Sequence, residues 1–104
     1  MSNYEQTQLA IDTVEANAHE QWLDVAYAVL YELALTRDYF TSEDVTDFMR
    51  ARYPDVTTHE PRAMGAVIRR GKRDGIIAPT QRFTTSRATN SNAYPKRVWG
   101  SLLR

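Results

Sequence analysis

From Pro61 to Asp74 the chain reads Pro-Arg-Ala-Met-Gly-Ala-Val-Ile-Arg-Arg-Gly-Lys-Arg-Asp, a stretch in which Arg62, Arg69, Arg70, Lys72 and Arg73 are cations. A guanidinium is a planar fork of donors that can take guanine O6 and N7 together or clamp a phosphate, so the chemistry on offer is recognition of a polyanion. Laid out at 100° per residue, the stretch has two faces. Met64, Val67, Ile68 and Gly71 point one way, Arg62, Ala66, Arg69 and Arg73 point the other, and Gly65, Arg70 and Lys72 lie on the flanks. A helix apolar on one stripe and basic on the other can lie in a major groove about 12 Å wide. Gly65 in the middle of such a helix costs about 0.8–1 kcal/mol relative to alanine. Close approach of a ligand to Gly65 and Ala66 would account for it, and close packing of Gly65 on another helix accounts for it equally well.

A second group of cations follows. Arg82, Arg87, Lys96 and Arg97 flank or enter Thr85-Ser86-Arg87-Ala88-Thr89-Asn90-Ser91-Asn92-Ala93, a polar run of small, turn-forming residues. Asn90, Asn92 and the neighbouring hydroxyls can bond phosphate or reach into a minor groove, although a plain flexible loop has the same composition.

The formal net charge is zero, and that figure hides a segregation. Residues 1–60 hold twelve of the thirteen acids and three bases, whereas residues 61–104 hold ten bases against Asp74 alone, so the halves carry −9 and +9. Folding could bring the halves together and neutralise them. The alternative is a polarised surface whose basic side steers a polyanion, of which DNA is the commonest.

Other chemistries find little support. Without cysteine there is no disulfide, thiolate metal site or thiol nucleophile. His19 and His59 stand 40 apart, and neither HExxH nor GxSxG nor a phosphate-binding glycine loop occurs. Glu43, Asp44 and Asp47 lie close together, but two of them suit a helix N-terminus and a metal would need further ligands. The expectation is a protein that is not an enzyme and has no cofactor or metal. The first twenty residues lack the pattern of an export signal, and no apolar run approaches the roughly 18 residues of a membrane span.

The elements that must carry these groups follow from periodicity and punctuation. Residues 2–18 form a weak helix with Leu9, Ile11, Val14 and Ala18 as its stripe, an N-terminal extension (1–18) suited to lying on the domain or pairing in a homodimer. A stronger helix runs from His19 to about Arg37 with Trp22, Val25, Ala26, Val29, Leu30 and Leu33 facing a core. Thr41 is placed to cap a helix that Pro54 ends near Tyr53, with Glu43 and Asp44 in its first turn and Phe40 stapled to Val45. The basic helix spans 60–74, with Pro61 in its first turn and Gly75 as its cap. Ile76-Ile77-Ala78 and Gln81–Thr84 read as extended, as does Tyr94–Leu103 with Val98, Gly100 and Leu102 on one face. Trp22 and Trp99 belong to the core rather than to a ligand.

Three helices followed by a hairpin with a long polar tip is the layout of a winged helix-turn-helix. The expected fold is α+β, with a three-helix core and a C-terminal β-hairpin wing over 19–104 and an extra N-terminal helix. The runs Phe40-Thr41-Ser42-Glu43-Asp44-Val45, Glu60 to Arg70, Gly75-Ile76-Ile77 and Pro95-Lys96-Arg97-Val98-Trp99 resemble small winged-helix DNA-binding proteins encoded by phages and prophages of actinobacteria. The likeness covers roughly residues 19–101, and Pro-Arg-Ala-Met-Gly-Ala with Arg-Val-Trp is its most specific part. It implies a phage protein acting in the bacterial cytoplasm or nucleoid, in transcription regulation or phage DNA metabolism. The expected partner is double-stranded DNA, with helix 60–74 in the major groove and wing 82–97 on the minor groove or backbone. The rival expectation is an interaction module that binds a host protein through the acidic half.

Overall fold

A computed structural model describes residues 3–60, 62–86 and 95–104, residues 3–17 by their helical backbone. The first element is a single helix, α1 (Asn3–Thr36), where the sequence suggests an N-terminal extension followed by a separate helix. The physical reason is an absence of breakers: residues 3–36 contain neither glycine nor proline. At about 1.5 Å per residue, its 34 residues make a rod long enough that one stretch can serve the core while another projects. The core stripe is the expected one. Ala26, Val29, Leu30, Leu33 and Ala34 are buried, with Trp22, Leu23, Val25 and Tyr27 partly so.

After Arg37 the chain turns into a two-residue strand, β1 (Tyr39–Phe40), which the sequence does not announce. Thr41 then caps α2 (Ser42–Arg52) through a capping box: the Asp44 amide donates to Thr41 Oγ1 at 3.3 Å, and the Thr41 amide donates to Asp44 Oδ2 at 2.9 Å. Phe40 and Val45, on either side of this cap, are both buried in the core. Replacing Thr41 by alanine removes one half of the box, and urea titration is expected to show a loss of about 1 kcal/mol.

Helix α3 (Ala63–Arg73) begins about three residues later than expected. The reason is local competition for backbone groups, because Thr58 Oγ1 accepts the Glu60 amide and the Glu60 carboxylate accepts the Arg62 amide. Pro61 lies outside the described residues. The C-terminus is as expected: Gly75 takes φ +75°, its amide donates to Lys72 O, and the Ile76 amide donates to Gly71 O. This double closure is a Schellman motif, and it needs a residue that tolerates the left-handed conformation.

Strands β2 (Ile77–Thr85) and β3 (Pro95–Ser101) form the hairpin, and β3 lies in the middle of an antiparallel sheet of order β1-β3-β2. The two extended runs around Pro79 are therefore one strand, with a register irregularity between Pro79 and Phe83. Pro79 is tolerated because β2 is an edge strand and needs no donor there. Phe40, Trp99 and Pro79 align across the sheet, and Trp99 packs against the core as expected. Leu102 departs from the expected face and is exposed, because the strand has ended and the Leu102 amide turns to Ile76 O. The described residues thus form an α+β domain of three helices and a three-stranded antiparallel sheet around one core.

Candidate nucleic-acid interface

Helix α3 is held by its inner face, where Ala63, Val67, Ile68 and Gly71 are buried and Met64 is partly so. That leaves Arg62, Gly65, Arg69, Arg70, Lys72 and Arg73 exposed, with Ala66 half-buried on the side that faces α1. Among the described residues no acid pairs with Arg62, Arg69 or Lys72. Among the described residues Gly65 packs on no other helix: an added Cβ would meet Arg69 Nη1 alone, at 3.5 Å. Of the two readings of that glycine, packing on another helix finds no support among the described residues.

Arg70 and Arg73 have internal partners that spacing alone does not reveal. The Arg70 guanidinium lies 3.8 Å from the centre of the Tyr27 ring, and Tyr27 Oη donates to Asp74 Oδ2 at 2.6 Å. Asp74 also pairs with Arg73 at 3.4 Å and with Arg70 at 3.8 Å. The one acid of the basic half therefore lies at the C-terminal end of α3, where it offsets part of the charge on two arginines. Arg69, Arg70 and Arg73, together with Leu23, Tyr27, Ala66 and Val67, line an open cleft of about 430 Å³ between α1 and α3.

This cluster shifts the titration of two of its members in opposite directions. The hydrogen bond from Tyr27 holds the Asp74 carboxyl below its ordinary value, helped by Arg73 and Arg70. Burial, then the bond to Asp74, pushes the Tyr27 phenol upward. Asp74 thus contributes stability that is complete above its unfolded value of 3.8 and fades as pH falls through its lower folded value. Tyr27 acts in the opposite window, its contribution being intact below 10.0 and lost as pH rises through the higher folded value. The expected result is a late-titrating tyrosine in alkaline absorbance measurements, absent in Tyr27→Phe and shifted back toward 10.0 in Asp74→Ala.

On the hairpin Arg82 and Arg97 are exposed and Lys96 is half-buried, whereas Arg87, Asn90 and Asn92 lie outside the described residues. Both exposed arginines rest on aromatic rings: Arg82 is 4.9 Å from the Tyr39 centroid and Arg97 is 4.7 Å from that of Phe83. Arg97 Nη1 also donates to Thr80 O at 2.6 Å. Such contacts reduce the freedom of a long side chain while leaving its charge available. Ser86 is buried and its hydroxyl donates to the Glu43 carboxylate, which ties the outgoing end of β2 to the first turn of α2.

The site thus combines expected residues with two that sequence reasoning did not assign to it, Tyr27 and Asp74. Among the described residues no cluster of three potential metal ligands occurs, and no helix is long and apolar enough to cross a membrane. Compared with known protein families, with curated proteins and with solved structures, the chain gives no match.

Proposed function

We propose that the chain is a winged helix-turn-helix protein that binds duplex DNA, with α3 entering the major groove and the β2–β3 hairpin lying along the backbone or minor groove. The element order α1-β1-α2-α3-β2-β3 and the strand order β1-β3-β2 support the fold. The observation that carries the function is the exposed face of α3, where Arg62 and Arg69 stand beside Gly65 with no acidic partner among the described residues. A helix is about 10–12 Å across, a match to the width of the major groove, and the absence of a side chain at Gly65 lets backbone approach base edges. Its use in the cell would be transcription regulation or phage DNA metabolism, in keeping with the resemblance drawn from its motifs.

The test is a binding titration across salt concentrations. If about six phosphates are neutralised, the log of affinity falls against the log of salt with a slope near −5. An affinity that stays flat from low to moderate salt overturns the proposal.

A further inference from the structure

The cleft between α1 and α3 has a composition that phosphate contact alone does not explain. Its floor and walls include Leu23, Tyr27, Ala66 and Val67, and three guanidiniums, those of Arg69, Arg70 and Arg73, stand around it. A phosphate tracking along a groove needs the cations and gains nothing from an apolar floor. A ligand that gains from both has a planar, weakly polar body with an anionic group attached. The volume of about 430 Å³ falls in the range of small-molecule sites, roughly 300–1,000 Å³.

We infer that this cleft binds a nucleoside phosphate, with the base over the Leu23–Ala66 floor beside the Tyr27–Arg70 stack and the phosphate between Arg69 and Arg73. The arrangement of the cations supports the placement. Arg70 covers the Tyr27 ring with one face of its guanidinium, and the other face is a platform of the kind on which bases stack. Arg69 has no acidic partner among the described residues, and Arg73 is paired with the Asp74 carboxylate. That carboxylate occupies the position of an anion beside two of the three guanidiniums, so an incoming phosphate replaces an exposed ion pair and exposes no orphaned buried charge. The exchange costs little, because solvent-exposed ion pairs are weak.

The same chemistry has two sources, a free mononucleotide and an unpaired nucleotide at a DNA end or bulge. The inference rests on the proposal that α3 meets DNA only for the second of these. Four ligands separate the cases: AMP, dTMP, a fully paired blunt duplex, and the same duplex with one unpaired 5′-phosphorylated nucleotide. They are measured against the full chain and against Leu23→Trp, which fills the cleft without altering a cation, and Tyr27→Leu, which removes the ring beneath Arg70. Circular dichroism melts confirm that each variant is folded, and the two variants reach the cleft by different routes.

A base stacked in the cleft predicts that the unpaired duplex binds about fivefold or more tightly than the blunt one. This preference disappears in both variants, and in Leu23→Trp, which leaves every cation and Asp74 in place, the blunt affinity stays within about twofold. Binding of AMP or dTMP that both variants abolish, with no preference between duplexes, assigns the cleft to a free nucleotide. Equal affinity for the two duplexes with no binding of either mononucleotide overturns the inference and leaves DNA binding standing. Mononucleotide binding without affinity for any duplex overturns the DNA proposal and leaves the cleft.

Discussion

Replacing Arg69 and Arg73 together by alanine is expected to lower affinity for duplex DNA about a hundredfold at low salt, and to flatten the salt dependence by close to two units of log–log slope. Both side chains lie on the outward face of α3, and each bond to a phosphate or base made by an ionised group is worth about 1.5–3 kcal/mol. The lower end of that range applies, because Arg73 must leave Asp74 to reach a ligand. The protein itself should barely notice. Both residues are exposed, and surface substitutions of this kind usually shift stability by no more than about 0.5 kcal/mol. Electrophoretic or fluorescence titration at two salt concentrations checks the first half, and a urea melt checks the second. An unchanged affinity would remove α3 as the contact element. If the same variant still captured a protein partner through residues 1–60 at full strength, the interaction reading built on the acidic half would take the place of DNA binding.

How much of this was readable in the chain depends on how local each cause is. The cap at Thr41, the stop at Pro54 and the glycine closure at Gly75 all depend on groups within a few residues of one another. Each is legible in the chain for that reason, whereas the reciprocal bond from the Thr41 amide to Asp44 is seen only in the structure. The inner face of α3 was likewise legible, because 100° per residue is a property of the helix itself. Strand β1 was not. Two residues carry no alternation, and Tyr39 becomes strand only because Gly100, far along the chain, lies opposite it. The Tyr27–Asp74 bond, between residues 47 apart, is invisible for the same reason, and with it went the knowledge that Arg70 and Arg73 share a carboxylate.

Glycine shows the limit of periodicity most clearly, since Gly65 and Gly71 stand in the same helix and are told apart by what lies opposite. A Cβ on Gly65 has open room, so Gly65→Ala should gain most of the helical preference, about 0.8–1 kcal/mol. A Cβ on Gly71 would stand 2.9 Å from Leu30 Cδ2 and 3.4 Å from Ile77 Cδ1. Neither neighbour can yield easily, because Leu30 is 0% and Ile77 1% exposed. The absence of a side chain at Gly71 is therefore what allows α1 and α3 to approach, and that approach sets the position of the outward arginines.

Leu30→Ala is expected to cost about 2–5 kcal/mol in urea titration, the range for emptying a fully buried leucine position. Domains of this kind hold only about 5–15 kcal/mol in all, so the loss is large enough to bring the variant near unfolding at ambient temperature. The coupling to Gly71 makes the prediction specific. In the native background Gly71→Ala gains helical preference but forces its Cβ against Leu30 Cδ2, and overpacking of about 1–3 kcal/mol leaves a net loss of up to about 2. With Leu30 already shortened to alanine the 2.9 Å contact is gone, the Ile77 side chain can shift by a few tenths of an ångström into the vacated space, and the new methyl begins to fill it. Gly71→Ala should then stabilise the protein, by about 1 kcal/mol or somewhat more. A double-mutant cycle measures that reversal directly. Additive effects would mean that α1 and α3 do not meet at this pair, and the outward arginines of α3 would lose the support that presents them together.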